Sequence, residues 1–301
     1  MTPVAQGRDS NPDRSATHVR RALWTVLAVG ILVFLVGVLV LVKVLGGSTQ
    51  PRVATNLTAT SASVLAAVTS IPQSVYDEVA VSSPTVPVVP PRAVPGGASA
   101  LTFTRGGSRL PGVLYVGTEY SSFSASERWA LIAALSRFGR FSSLYDMEST
   151  PLDFSPSTPT FTFYASSYSS HLVAFDPFEV RSNAVASTGF RALMSLPRRD
   201  ARLLRRDDPT MTVPFVDIGN RVETLQAAFS PQTLAGLSRD QVAEGLADPT
   251  NPVTRAIVAS ANYLTAAICA VDRGRPGSVC ASVGVTAAAA ALHLELSTSQ
   301  G

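Results

Sequence analysis

An uninterrupted apolar segment near the N-terminus constrains this chain more than any other feature. Ala22 to Val42 contains 21 residues without a charged side chain. As an α-helix this segment would be roughly 31 Å long, which is enough to cross the hydrocarbon core of a bilayer. A secretory signal has a shorter apolar core and a cleavage site close behind it. The sequence therefore predicts an uncleaved transmembrane helix over residues 22–45, while Gly46-Gly47-Ser48 leaves cleavage open.

The distribution of basic residues around this segment predicts its orientation. Only two basic residues follow it closely, whereas four precede it, namely Arg8, Arg14, Arg20 and Arg21. The positive-inside rule then places a tail of residues 1–21 in the cytoplasm and the rest of the chain outside. We expect a single-pass protein of the cell membrane. The formal net charge of +3 does not argue for a nucleic-acid partner.

Residues 46–100 are expected to be a Ser/Thr/Pro-rich tether that contains a short helix. Between Ser61 and Val79 the apolar residues fall near helical spacing, and Pro72 interrupts the run. Five prolines between residues 82 and 97 predict an extended, semi-rigid strap. The globular domain is expected to cover residues 101–296, followed by a tail of residues 297–301.

The centre of the predicted domain is the stretch from Gly112 to Trp129. Val113 to Val116 form an apolar, β-branched run typical of a short buried strand. Polar residues follow, and from Trp129 to Phe138 the apolar residues recur at helical spacing. A strand that turns into a helix is a common location for chemistry, because the helix N-terminus favours anions and lowers thiol pKa values.

The rest of the domain alternates between strand and helix patterns, which predicts a layered α/β fold. The strand patterns are Ser142–Met147, Thr160–Tyr164, Leu172–Val180 and Thr212–Asn220. The helix patterns are Phe190–Leu196, Ala201–Arg206, Leu234–Leu246, Val253–Val271 and Val279–Leu294. Between residues 198 and 208, five arginines alternate with three aspartates, which is typical of a solvated, self-paired surface.

Two pieces of the sequence together resemble the thioredoxin-like superfamily. One is the strand, turn and helix of Val113–Phe138, and the other is Thr212-Val-Pro214, which is similar to the cis-proline loop that faces the redox motif in that fold. The segments Leu114–Tyr120, Pro159–Tyr164 and Pro214–Arg221 extend the resemblance to a membrane-anchored, thioredoxin-like family of unknown function.

The resemblance, which spans roughly residues 61–280, implies a thioredoxin-like sheet flanked by helices, with an N-terminal transmembrane helix and extra C-terminal helices. It also implies that Val213 and Pro214, together with Tyr120 and Phe123, form a binding edge. There the residue before the proline would offer its main chain to an extended peptide.

The chain departs from this family at the residues that carry its chemistry. Family members have Cys-Pro-aromatic-Cys where this sequence has Ser121-Ser122-Phe123-Ser124. Thiol–disulfide exchange needs a thiolate and a second, resolving thiol, and a serine hydroxyl replaces neither. We therefore expect no catalytic residue and a non-catalytic binding or scaffolding role, with an envelope protein or extended peptide as partner. The alternative is a thiol–disulfide oxidoreductase or disulfide-related chaperone that acts through Cys269 and Cys280 or through a partner's thiols.

Ser121 and Ser124 are also weak candidates for serine nucleophiles. A nucleophilic serine needs a base within hydrogen-bond reach, and His171 is the sole histidine suitably placed in the sequence. No Gly-x-Ser-x-Gly motif is present. Ser124 and Glu127 have the spacing of a capping box, which would assign both to a helix N-terminus. Glu127 and Arg128 are then expected on a solvated helix face.

The two cysteines, Cys269 and Cys280, predict a structural disulfide. A lone pair in an exported domain is most simply a disulfide, and this one would close a short loop. The pair lacks Cys-x-x-Cys spacing and histidine neighbours, which argues against zinc. The sequence contains no Gly-rich phosphate loop and no metal-ligand cluster, so neither a cofactor nor a metal is expected.

Overall fold

The computed structural model describes residues 57–94 and 99–297. The predicted cytoplasmic tail and the predicted transmembrane helix of residues 22–45 lie outside these ranges. Within them, one helix, Pro252–Val271, is long and apolar enough to cross a membrane, but 83% of its apolar window is buried inside the protein. That burial is typical of the core helix of a globular domain.

In the described ranges, ten strands form three sheets. In chain order they are β1 (Arg92–Ala93), β2 (Thr102–Arg105), β3 (Ser108–Gly117), β4 (Arg140–Glu148), β5 (Pro159–Ser169), β6 (Ala174–Glu179), β7 (Arg181–Val185), β8 (Phe190–Ala192), β9 (Phe215–Ile218) and β10 (Val222–Thr224). The largest sheet has six strands, and the pairs β4–β5 and β7–β8 form two smaller ones.

Strand β3 is the centre of the six-stranded sheet. One edge of β3 pairs antiparallel with β9, and β10 and β1 continue the sheet beyond it. On its other edge, residues 108–111 pair antiparallel with β2, and residues 112–117 pair parallel with β6. The second half of β3 is therefore covered by strands on both edges and buried, as its apolar sequence predicts.

Helices lie against this sheet and against each other. They are α1 (Ala62–Thr69), α2 (Gln73–Val79), α3 (Ser122–Leu135), α4 (Arg198–Asp207), α5 (Arg239–Gly245), α6 (Pro252–Val271), α7 (Gly277–Cys280) and α8 (Val283–Ala291), with a 3-10 turn at Pro231–Leu234. Every residue of α3 except Phe123 is buried. The described chain is thus a mixed α/β domain with a sheet flanked by helices, and α3 leads directly away from its central strand.

Several expectations from the sequence need correction. Phe190–Leu196 is not a helix, because Phe190–Ala192 pairs with β7 as a strand. The last helical pattern is divided in two, with α7 ending at Cys280 and α8 starting at Val283. The helices α1 and α2, which were assigned to the tether, place Val68, Val75 and Tyr76 in the same hydrophobic core as α3. The compact unit therefore begins well before Leu101.

The disulfide between Cys269 and Cys280 is confirmed. It joins the end of α6 to α7, with the two Cα atoms 5.7 Å apart. The 11-residue separation gives a loop whose closure stabilises the fold by about 3 kcal/mol in the chain-entropy model. Both cysteines belong to the hydrophobic core.

Candidate functional site

The turn from β3 into α3 is organised by Ser121, which is the N-cap of the helix. Its Oγ accepts a hydrogen bond from the Ser124 N–H at 3.4 Å, as N-cap serines do. The Ser124 hydroxyl points back instead and accepts the Thr118 N–H at 3.3 Å. The predicted capping box of Ser124 and Glu127 is therefore wrong, because both residues lie inside the helix and Glu127 accepts the Ala228 N–H at 2.8 Å.

A second cap on α3 comes from the loop between β4 and β5. The Asp153 carboxylate accepts the Ser122 N–H at 2.5 Å, and the Thr150 N–H binds the Tyr120 carbonyl at 2.9 Å. A carboxylate at this position is favourable because a helix N-terminus carries partial positive charge. No sequence pattern pointed to Asp153, since 31 residues separate it from the N–H that it binds.

The predicted proline loop lies beside this turn. Val116 of β3 pairs with Phe215 of β9. The next pair along these antiparallel strands would be Gly117 with Pro214, so the proline lies opposite a residue four positions before Ser121. The Val213–Pro214 peptide bond is cis. Gly117 is required at this position because a Cβ there would collide with the Tyr115 hydroxyl.

Val213 lies just beyond the last paired residue of β9 and lines an apolar cavity. In the described part of the chain, neither its N–H nor its carbonyl has a hydrogen-bond partner. The cavity has a volume of about 290 Å³ and is lined mostly by aliphatic and methionine side chains, including Val116, Met194, Leu204 and Met211. The four residues come from four separate segments of the chain, so sequence patterns gave no signal for this cavity.

Two aromatic pairs flank the turn. Tyr120 stacks on Phe190 of β8 with the ring centroids 4.1 Å apart, and Phe123 stacks on Phe154 at 5.5 Å. Phe123 and Phe154 are 39% and 57% exposed, and the neighbouring Leu152 is 78% exposed. Three large apolar side chains thus remain in contact with solvent beside the N-terminus of α3.

Beneath the turn, Arg128 forms a fully buried ion pair with Glu179. Its Nε and Nη2 each donate to one carboxylate oxygen at 2.8 Å, and Nη2 also donates to the Thr118 carbonyl at 2.7 Å. Both side chains have no exposed area. The expectation of a solvated face for Glu127 and Arg128 is therefore wrong. The ion pair thus links α3 to β6 and to Thr118, the residue that follows β3.

Two more buried carboxyl groups lie close to this ion pair. Glu119 accepts the Thr162 hydroxyl at 2.6 Å, and burial raises its pKa to about 7 against the effect of this hydrogen bond. Burial also raises the pKa of Glu127 to about 7, although the Ala228 N–H favours its charged form. The two acids are consequently neutral over much of the acidic range.

Within the described residues, no histidine lies near Ser121 or Ser124. His171 follows β5, and its neighbour Ser170 binds the Phe138 carbonyl just past the C-terminal end of α3. The length of α3 separates this region from Ser124 by roughly 20 Å. Cys269 and Cys280 are bonded to each other and buried, so neither offers an accessible thiol. Across residues 57–94 and 99–297, no group of three or more metal-ligating side chains is found.

Comparison with known proteins gives one match. Residues 98–188 match the family model of a "Domain of unknown function (DUF929)". This region runs from β2 to the turn of the β7–β8 hairpin and includes Ser121 and the Arg128–Glu179 ion pair. No curated protein and no solved structure matches the chain.

Proposed function

We propose that this chain is a membrane-anchored, extracytoplasmic thioredoxin-like module that binds extended peptides without catalysing thiol exchange. The charge-free segment Ala22–Val42 supports the anchor, and the excess of arginines before it supports the orientation. The central strand β3 is followed by α3 and bordered by β9, which starts directly after the cis Pro214, and this arrangement supports the fold assignment. Serines at positions 121 and 124 support a role without redox catalysis.

The observation that carries the binding function is the position of Val213. Its main-chain donor and acceptor have no partner within the described residues, and they lie beside a cavity that can take an apolar side chain. An extended peptide gains affinity from main-chain hydrogen bonds and specificity from pockets for alternate side chains. Both elements are present here. The peptide would lie across Val213, with one side chain in the cavity and the next ones near Phe123.

Replacement of Ala201 by phenylalanine tests the cavity. Ala201 lines it from α4, and a ring at this position would occupy the space that the peptide side chain needs. We expect affinity for a nine-residue peptide with a central leucine to fall at least about tenfold, measured by fluorescence polarisation on the full chain in detergent. The matched control is Ala290→Phe, which places the same ring in a separate surface cavity bordered by α8.

The main-chain part of the proposal is tested on the peptide instead of the protein. Methylating single peptide nitrogens removes one hydrogen-bond donor at a time without changing the side chains. We expect affinity to fall at alternate positions only, as strand addition requires. Uniform tolerance of methylation, or equal binding by Ala201→Phe and the unmodified chain, would contradict binding at this site.

A gain of thiol chemistry tests the site geometry. Ser121 is the N-cap and Ser124 the third residue of the first turn, so Ser121→Cys with Ser124→Cys places two thiols on one turn at the helix N-terminus. We expect the pair to form a disulfide reversibly, and the thiol at position 121 to have a pKa below the ordinary 8.5, measured by the pH dependence of iodoacetamide alkylation. The single change Ser124→Cys, whose position is fully buried, should be alkylated slowly. A correctly folded double variant with unreactive thiols would contradict the placement.

A further inference from the structure

The arginines around the Val213 cavity specify the charge of its ligand. Arg181 lines the cavity, and Arg205 of α4 places its Nη2 3.5 Å from the sulfur of Met211, which also lines it. Both arginines are exposed to solvent. The cavity therefore combines an apolar interior with guanidinium groups at its border.

These two guanidinium groups are not neutralised within the described chain. The ion pairs found there use other arginines, and on α4 Arg199 and Arg206 are bound to Asp200 and Asp207. Arg181 binds only the Phe190 carbonyl, at 2.9 Å. Among the described residues, no carboxylate contacts Arg205. The sequence pattern predicted that the arginines and aspartates of α4 form ion pairs with one another. Only some of these arginines do so.

Asp208, the residue after α4, is hydrogen-bonded to the loop that follows it. Asp208 accepts the N–H groups of Thr210 and Thr212 at 2.9 and 2.6 Å, which fixes the loop that leads to Val213. Its carboxylate therefore organises the loop and forms no ion pair with Arg205. Within the described chain, Arg181 and Arg205 therefore remain without a carboxylate partner at the border of the cavity.

We infer that the ligand is an acidic extended peptide, with an apolar residue that enters the cavity and Asp or Glu residues on its flanks. This inference rests on the proposed peptide-binding function and narrows it to one class of partner. A cavity of about 290 Å³ is larger than the roughly 150 Å³ cavity that accepts benzene, so one large apolar side chain fits. Guanidinium groups recognise carboxylates through charge-assisted, often bidentate hydrogen bonds.

The probes are two seven-residue peptides with the same central Val-Leu-Val segment. One carries two aspartates on each side of that segment, and the other carries two lysines on each side. Binding to the full chain in detergent is measured by fluorescence polarisation at two salt concentrations. We expect the acidic peptide to bind about tenfold more tightly at low salt, and this preference to shrink at high salt.

The double reversal Arg181→Glu with Arg205→Glu should invert the preference. Its control is Arg140→Glu with Arg221→Glu, which makes the same charge change at exposed positions, at the start of β4 and in the β9–β10 turn. Arg205→Glu alone is included, because Arg181 also binds the Phe190 carbonyl and its loss can disturb the hairpin. We expect this single change to reduce the preference several-fold with the thermal midpoint unchanged.

The outcomes separate this inference from the proposed function. Equal binding of both peptides, with loss of both in Ala201→Phe, would overturn the acidic preference and leave peptide binding in place. An acidic preference that survives in Arg205→Glu and in the double reversal would also overturn it. If neither peptide binds the unmodified chain, both the inference and the proposed function fail.

Discussion

Replacement of Arg128 by methionine is expected to lower the free energy of unfolding by about 3–5 kcal/mol. The substitution leaves the Glu179 carboxyl group in an interior where it has no exposed area and no cation. It also removes the donor to the Thr118 carbonyl, in the strand-to-helix turn. Urea denaturation followed by far-UV circular dichroism measures the loss, which should be among the largest for any single side chain of α3.

A double-mutant cycle distinguishes the lost ion pair from lost packing. If the cost comes from an unpaired buried carboxylate, then Arg128→Met together with Glu179→Met should be more stable than Arg128→Met alone, because apolar replacement of both partners removes the unpaired charge. If the losses in the free energy of unfolding from the two single substitutions simply add in the double variant, each side chain acts through packing alone. Arg140→Met, at an exposed position past the end of the same helix, is the matched control and should cost little.

Arg128 also shows why the sequence predicted the fold better than the site. The apolar period of Trp129–Phe138 and the β-branched run of Val113–Val116 are local patterns, and both elements formed where those patterns lie. A charged dipeptide such as Glu127-Arg128 is usually solvated, and no local signal distinguishes a buried one. Its burial depends on Glu179, 51 residues away in a strand whose pattern was interrupted by Pro177.

The N-cap illustrates the same limit at shorter range. The sequence predicted that α3 starts at Ser124, because Glu127 follows three positions later as in a capping box, whereas the N-cap in the structure is Ser121. The tertiary contact between Asp153 and the Ser122 N–H selects the earlier start, and this contact comes from the β4–β5 loop. The cavity beside Val213 is likewise assembled from segments that are distant in the sequence. Most local elements were predictable from their own patterns, whereas these contacts between distant segments were not.

The stability of the domain is expected to fall as the pH rises from about 4 to about 7. Burial raises the pKa values of Glu119, Glu127 and Asp217 to about 7 in the folded chain, whereas unfolded carboxyl groups titrate near 4. Between these values the folded state holds more protons than the unfolded state, so raising the pH favours unfolding. Denaturation midpoints at pH 5 and pH 8 measure the effect, and an equal or higher midpoint at pH 8 would contradict it.

Glu127→Gln should remove the contribution of Glu127 to this pH dependence of stability. The amide oxygen can still accept the Ala228 N–H, while the side chain no longer ionises. We expect the variant to match the unmodified chain at pH 5 and to be more stable by up to about 3 kcal/mol at pH 8, since each pKa unit corresponds to about 1.4 kcal/mol. Glu244→Gln, at an exposed position of α5, should leave the pH dependence unchanged. A variant that is less stable than the unmodified chain at pH 8 would mean that the charged form of Glu127 is the one the fold requires.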